Sequence, residues 1–219
     1  KADRMIEIKN VSKTYTKGST RVKALDNVSI FAAKGEFVVV KGASGCGKTT
    51  LLLTAGGLLQ PDEGSIKING QEIGKLSQED LAGFRAANIG FVFQQYHLIP
   101  YLSILENVNI PSLAHQTNNV EARAIELIED LGLEKRMLHT PAELSAGEKQ
   151  RTALARALLY GPAVILADEI TGNLDEKNAL IVLKKLAEYT KSGGTVLLVT
   201  HDDKVIQFAD RVVELKAEE

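Results

Sequence analysis

A single cysteine among 219 residues, Cys46, excludes an intrachain disulfide framework and fits a reducing compartment. No apolar run approaches the roughly 20 residues that a membrane-spanning helix needs. The opening Lys1-Ala2-Asp3-Arg4 does not read as a secretory signal. There is no excess of basic charge either. With 26 Lys and Arg against 28 Asp and Glu, the formal net charge is −2, and nucleic acid is not expected as a partner. Neither an internal repeat nor a low-complexity tract is present. The expectation is a cytoplasmic protein, and any membrane role must come through a partner. What remains is ordinary globular composition, 44% hydrophobic and 25% charged. The chain is long enough to bury a full core as one domain, with room for an inserted lobe.

The most informative stretch begins with Val38-Val39-Val40, an apolar strand. It runs into Gly42-Ala43-Ser44-Gly45-Cys46-Gly47-Lys48-Thr49, then into Thr50-Leu51-Leu52, which favours a helix. This is Gly-x-x-x-x-Gly-Lys-Thr between strand and helix, the context in which the pattern forms a phosphate-binding loop. Glycines let the backbone curl so that several N–H groups face one anion. The following helix adds the positive end of its dipole. Lys48 would reach the β- and γ-phosphates, and the Thr49 hydroxyl would ligate Mg²⁺. A plain glycine turn would account for the glycines but not for Lys-Thr at this offset. Cys46 reads as a small residue filling a free position of the loop, and as a useful chemical probe of it.

Around this loop the early chain reads as antiparallel β structure. Met5 to Val11 alternates as a half-buried strand should. Val28 to Ala32 and Phe37 to Lys41 read as two more strands joined at Lys34-Gly35-Glu36. Ser65 to Ile73 is a hairpin signal, with Asn69-Gly70 suited to a type I′ turn. After Gln94 the character becomes helical. Ser103 and Glu106 have capping-box spacing, Val120 to Leu131 is helix-periodic and ends at Gly132, and Ser145 to Leu159 follows as another helix. Then Val164 to Asp168 and Thr195 to Thr200 are continuous apolar runs, as parallel strands covered on both faces should be. Glu176 to Lys191 reads as the crossover helix between them, stopped by Gly193-Gly194, and Arg211 to Leu215 as a last strand.

Two further segments carry chemistry. Val164-Ile165-Leu166-Ala167-Asp168-Glu169 is a buried strand ending in two carboxylates. Asp168 could hold Mg²⁺ through a water, and Glu169 could polarise an attacking water. Acidic residues often end strands, but with a phosphate loop in the same chain the chemical reading dominates. Leu144-Ser145-Ala146-Gly147-Glu148-Lys149-Gln150-Arg151 is, by spacing, a capping box from Ser145 to Glu148 at a helix start. A serine hydroxyl with exposed backbone N–H groups there makes a second anion site.

At this segment the chain resembles the ABC-type ATPases, whose signature is Leu-Ser-Gly-Gly-Gln. It departs twice, with Ala146 for the first glycine and Glu148 for glutamine. The resemblance covers essentially the whole chain and keeps the family's order. It implies that Tyr15 is the adenine-stacking aromatic, that Gln94 is the glutamine joining two lobes and contacting Mg²⁺ and water, that Asp175 in Gly172-Asn173-Leu174-Asp175 belongs to the D-loop, and that His201 is the switch histidine. Gly90 to Gln94, Ile104 to Val108 and Ala167 to Asp175 are similar to the branch of lipoprotein-releasing, macrolide-exporting and cell-division ATPase subunits. Ile170 stands where that branch has proline, which leaves the turn after Glu169 looser without removing a catalytic group. The chain stops soon after its last strand, so a C-terminal regulatory domain like that of many sugar importers is not expected.

The resemblance implies an α/β fold: a P-loop NTPase (RecA-like) core with an antiparallel β subdomain and an inserted helical subdomain. The core and β subdomain would take residues 1–94 and 161–219, and the helical subdomain residues 95–160. The implied function is the Mg-ATP-hydrolysing subunit of an ABC transporter or related membrane complex. It would be peripheral at the inner face of the membrane through an integral-membrane permease subunit. ATP would bind between two copies, with Lys48 and Thr49 of one facing Ser145 and Gly147 of the other, and Glu169, His201 and Gln94 acting at the γ-phosphate. The apolar segment Tyr96 to Leu102 would help receive the permease. A soluble ABC-type ATPase, such as an iron–sulfur assembly subunit, is the alternative. About fifty residues between Gln94 and Ser145 are too few for the coiled coil of a DNA-repair member. A translation-factor member would carry two cassettes.

Overall fold

A computed structural model describes residues 3–18, 20–113 and 119–216. Lys1, Ala2 and positions 114–118 of the expected helical lobe lie outside the described residues. The strands are Arg4–Lys17 (β1), Thr20–Ala33 (β2), Phe37–Lys41 (β3), Glu63–Ile68 (β4), Gln71–Glu72 (β5), Ile89–Val92 (β6), Val164–Asp168 (β7), Thr195–Thr200 (β8) and Arg211–Glu214 (β9). The α-helices are Lys48–Ala55 (α1), Gln78–Asn88 (α2), Ile104–Asn109 (α3), Val120–Asp130 (α4), Ala146–Leu158 (α5) and Glu176–Lys191 (α6).

The apolar runs form a five-stranded parallel sheet in the order β6-β7-β8-β3-β9. Its central strands have side chains buried on both faces and feed two cores. Phe37, Val39, Ile165, Ala167, Val196 and Leu198 face α3 to α6. Their neighbours Val38, Val40, Val164, Leu166, Leu197 and Val199 face α1 and the second sheet. Burying one such aliphatic side chain contributes about 1.5–3 kcal/mol, so this layered arrangement dominates the stability.

The second sheet is four-stranded and antiparallel, in the order β2-β1-β4-β5. Its strands run well beyond the expected spans of 5–11 and 28–32. The added residues are largely exposed, and register shifts near Asn10 (φ 49°) and Asn27 (φ 46°) break the alternation that would reveal them. The Asn69-Gly70 turn has positive φ at both residues, as expected of the hairpin. The phosphate-loop strand β3 is not part of this antiparallel structure: Gly35 (φ 78°) turns the chain from β2 into the other sheet, where β3 pairs in parallel with β8 and β9.

Helices α3, α4 and α5 pack on one another and share the first core. Ser103–Glu106 and Ser145–Glu148 both form full capping boxes. The crossover helix α6 begins after Asp175, whose carboxylate accepts from Asn178 N–H, and stops before Gly193 (φ 97°). Because the parallel strands share one direction, β3, β7 and β8 deliver Lys41, Asp168 and Thr200 to the same sheet edge. That edge is where such sheets bind ligands.

Candidate functional site

The phosphate loop leaves β3 and enters α1 through Gly45 (φ 83°) and Gly47 (φ 92°). Gly47 is required twice over, because a Cβ there would also lie 2.0 Å from the Ala24 carbonyl oxygen. Lys48 is buried and curls over the loop. Its Nζ donates to the Gly42 and Ala43 carbonyls, each at 2.9 Å, and lies 3.4 Å from Glu169 Oε1. Tyr15, half exposed on β1, brings its hydroxyl within 3.5 Å of Thr50 Oγ1 and so stands beside the start of α1. Ala43 and Ser44 complete the loop, and the Cys46 N–H returns to the Ala43 carbonyl at 3.3 Å. The Cys46 thiol does not face the loop's interior. It is buried in the second core, beside Gly42 and Leu215, so it is a poorer probe of the phosphate space than the sequence implies.

Thr49 Oγ1 donates to Asp168 Oδ2 at 2.8 Å. The other carboxylate oxygen, Oδ1, is buried and has no hydrogen-bond partner. Burial pushes the Asp168 carboxyl above its ordinary range; the Glu169 charge adds to this, while the Thr49 hydrogen bond and Lys48 oppose it. A hydroxyl oxygen next to an orphaned carboxylate oxygen is a donor set that fits Mg²⁺. This cation takes one or two protein oxygens and fills its shell with phosphate and water. Among the described residues no three His, Cys, Asp or Glu side chains cluster as a self-contained metal centre. A cation here therefore needs oxygens from its ligand. The exposed side chain of Gln94 sits beside Gly172, with Nε2 3.6 Å from where a Cβ of that glycine would be, and the Glu169 carbonyl oxygen is 3.6 Å from the same point.

Glu169 follows β7 with φ 48°, a strained conformation for this residue, and its N–H donates to the Val199 carbonyl at 3.0 Å. Its Oε2 lies 2.5 Å from Nδ1 of His201, whose ring is 63% exposed. The loops after β7 and β8 are tied together by Thr171 Oγ1 donating to Asp202 at 3.0 Å. Ile170 follows in this turn. Its side chain is buried in the first core, which anchors the turn by packing where proline would fix it by its ring.

Ser145, Ala146, Gly147 and Glu148 begin α5, with Ser145 exposed. No hydrogen bond or ion pair joins them to Lys48, Asp168, Glu169 or His201 among the described residues. The site residues therefore form two groups on one chain. A Cβ on Gly147 would lie 2.3 Å from Cγ of Asn178. Asn178 also donates to Asp175 Oδ2 at 2.7 Å and accepts from Arg151 of α5. Asn178 thus ties the start of α5 to Asp175. Sequence reasoning missed it, though its position three residues after a capping aspartate was the available signal.

A family model described as ABC transporter matches residues 25–172. The macrolide export ATP-binding/permease protein MacB of Chlorobaculum tepidum is 45% identical over 213 residues, 97% of this chain and 33% of that protein. The protein of the same name in Escherichia coli is 46% identical over 214 residues, again 97% of this chain and 33% of the relative. The chain thus spans about a third of the length of the curated relatives it matches. Among solved structures, a dimeric post-hydrolysis state of the ATP-binding cassette MJ0796 bound to ADP and Pi superposes with a TM-score of 0.91 at 39% identity. It covers 98% of this chain and 97% of that one.

Proposed function

This chain belongs to the ABC transporter family, as an ATPase cassette, and we propose that two copies close on Mg-ATP and pass the motion to a membrane permease. The observation that carries this reading is the meeting of Lys48, Thr49, Asp168, Glu169 and His201 at one sheet edge, with Ser145 and Gly147 held apart on α5. One group can take the phosphates in cis, and the other is free to meet the phosphates of a second copy. The dimeric state of a cassette 39% identical to this chain supports the two-copy arrangement. In this reading residues 95–160 are the helical lobe inserted into the nucleotide-binding core of 1–94 and 161–219.

The roles follow from the contacts. Lys48 neutralises the β- and γ-phosphates, together with the loop N–H groups. Thr49 and Asp168 would hold Mg²⁺, which supplies charge neutralisation at the phosphates when bound. Glu169 takes up a proton from the attacking water, and His201 orients that carboxylate. Gln94 lies at the junction with the helical lobe and reports the state of the γ-phosphate, while Tyr15 faces the adenine. Asp175 carries the loop that meets the second copy. No helix among the described residues is long and apolar enough to cross a membrane. Attachment to the inner face of the membrane would therefore come through the permease.

A test of the site's electrostatics comes from Asp168. Because its folded pKa is raised, its ionised form weakens folding above that pKa, and the penalty fades as pH falls from there to the unfolded value near 3.9, below which it is gone. Asp168→Asn is therefore expected to be more stable than the parent at pH 7, with the difference closing toward acid. Its Mg-dependent hydrolysis should fall by about 100-fold or more. Melting curves across pH, run without Mg²⁺, and phosphate-release assays check both. A variant less stable at every pH would contradict the buried-charge account.

Membrane coupling is tested at the segment after Gln94. Tyr101 is 78% exposed, yet its loop is rigidly held. Buried Asn107 accepts from Ile99 N–H at 2.7 Å and donates to the Ile99, Leu102 and Ser103 carbonyls. Arg156 of α5 donates to the Tyr96 and His97 carbonyls. A stiff loop with an exposed aromatic tip, in line with Gln94, suits transmission to a partner. Tyr101→Glu is expected to keep basal turnover within about twofold, as for a surface change away from the chemistry, while stimulation by the permease is lost. Unchanged stimulation and complex assembly across substitutions from Tyr96 to Leu102 would favour a soluble ATPase instead.

A further inference from the structure

Glu148 poses a problem for the second phosphate site. The family signature has a neutral glutamine there, whereas this chain places a carboxylate three residues into α5. Such a charge suits a helix start, but it opposes an incoming phosphate. It is also a full charge at neutral pH. Burial acts to raise the Glu148 pKa, yet hydrogen bonds from Ser145 and the Arg136 charge hold it below its ordinary range.

The structure shows what answers this charge. Oε2 of Glu148 is taken up by the cap, accepting from Ser145 N–H and from Ser145 Oγ, both at 2.8 Å. Oε1 is left for Arg136, whose Nε donates to it at 3.2 Å from the short 3-10 turn Glu134–Arg136. The Arg136 charge also acts on Glu143, but among the described residues Glu148 is the carboxylate that Arg136 hydrogen-bonds. The nearby Glu143 is occupied by its own cap, accepting from Thr140 N–H at 2.7 Å and Thr140 Oγ1 at 2.9 Å. The remaining Arg136 contact is His139, with Nε2 3.2 Å from Nη1.

We propose that Arg136 is a positioning residue for the second phosphate site: it neutralises Glu148 and fixes its carboxylate, so that Ser145 and the first turn of α5 accept the phosphates of ATP bound by another copy. This rests on the two-copy reading above. Two carboxylate oxygens with two separate duties leave Ser145 with a fixed orientation and little net charge behind it. The pair is partly exposed, so it contributes little to folding. Its contribution falls on the approach of the anion.

The test uses the Glu169→Gln chain, in which ATP-driven dimers are expected to persist, and reads the ATP concentration for half-maximal dimerisation by sedimentation velocity. Arg136→Gln should raise that concentration about tenfold at low salt, and less at high salt where charge is screened. With Glu148→Gln also present, the same Arg136→Gln change should cost less than about twofold, because no charge remains to neutralise. Arg136→Lys should recover part of the loss. The melting temperature should move by no more than about 3 °C, and ATP binding by the monomer should be unchanged. Equal penalties with Glu148 and with Gln at this position would overturn the proposal, as would no penalty at all. A Glu169→Gln chain that never dimerises with ATP would overturn the two-copy reading, and this inference with it.

Discussion

Lys48→Ala is expected to abolish ATP hydrolysis, lowering turnover by about a thousandfold or more, while leaving the chain folded. The contacts explain both halves of that expectation. Lys48 Nζ reaches across the loop to the Gly42 and Ala43 carbonyls and stands 3.4 Å from Glu169 Oε1. It is the cation at the mouth of a loop whose other donors are backbone N–H groups. Removing it takes the strongest charge from the γ-phosphate and also takes away the cation beside Glu169. ATP affinity should fall by at least about tenfold for the same reason. Folding suffers less. The lost hydrogen bonds to two carbonyls are offset by no longer burying an ammonium group, and the net effect should be within about 1–2 kcal/mol. Phosphate release, nucleotide titration and a thermal melt on one preparation check all three. A folded variant that keeps turnover within tenfold of the parent would remove the phosphate loop from the mechanism.

The difference between what was legible in the sequence and what was not follows local and non-local structure. Strands β7 and β8 could be read because burial on both faces leaves an unbroken apolar run. Helix α6 could be read to its ends because Asp175 caps it and Gly193 stops it. Helix α2 was not seen, since Leu81 is its only buried residue and Gly83 lies in its interior. The outer halves of β1 and β2 are exposed, so no alternation marks them. The sheet to which β3 belongs could not be read either, because its partners β8 and β9 lie more than 150 residues on.

The site divides in the same way. Lys48, Thr49, Asp168, Glu169 and His201 are recognisable as motif residues, and the sheet brings them together. The tertiary partners were invisible. Nothing near Glu148 in sequence points to Arg136, and nothing near Cys46 says that its thiol turns inward to the core. Motifs name the groups that touch the ligand, whereas the residues that aim them are placed by packing alone.

Glu169→Gln should bind ATP, barely hydrolyse it, and accumulate as a dimer. The substitution keeps the shape of a side chain whose two oxygens already have neighbours: Oε2 lies 2.5 Å from His201 Nδ1, and Oε1 3.4 Å from Lys48 Nζ. An amide can occupy that space but cannot take a proton from water, and loss of a general base costs about 10²–10⁴-fold in rate. Binding behaves differently. Removing a negative charge beside the γ-phosphate relieves repulsion, so the ATP-bound closed state should gain rather than lose. Two copies joined through the triphosphate then have no exit by hydrolysis. At micromolar protein and saturating Mg-ATP, size-exclusion chromatography should show the dimer for Glu169→Gln, and ADP should not produce it. His201→Ala separates the two roles. It should slow hydrolysis by freeing the Glu169 carboxylate while leaving the base itself in place, so its loss of rate should be smaller than that of Glu169→Gln. A Glu169→Gln chain that hydrolyses within tenfold of the parent would show that Glu169 is not the base, and one that remains monomeric with ATP would overturn the two-copy reading.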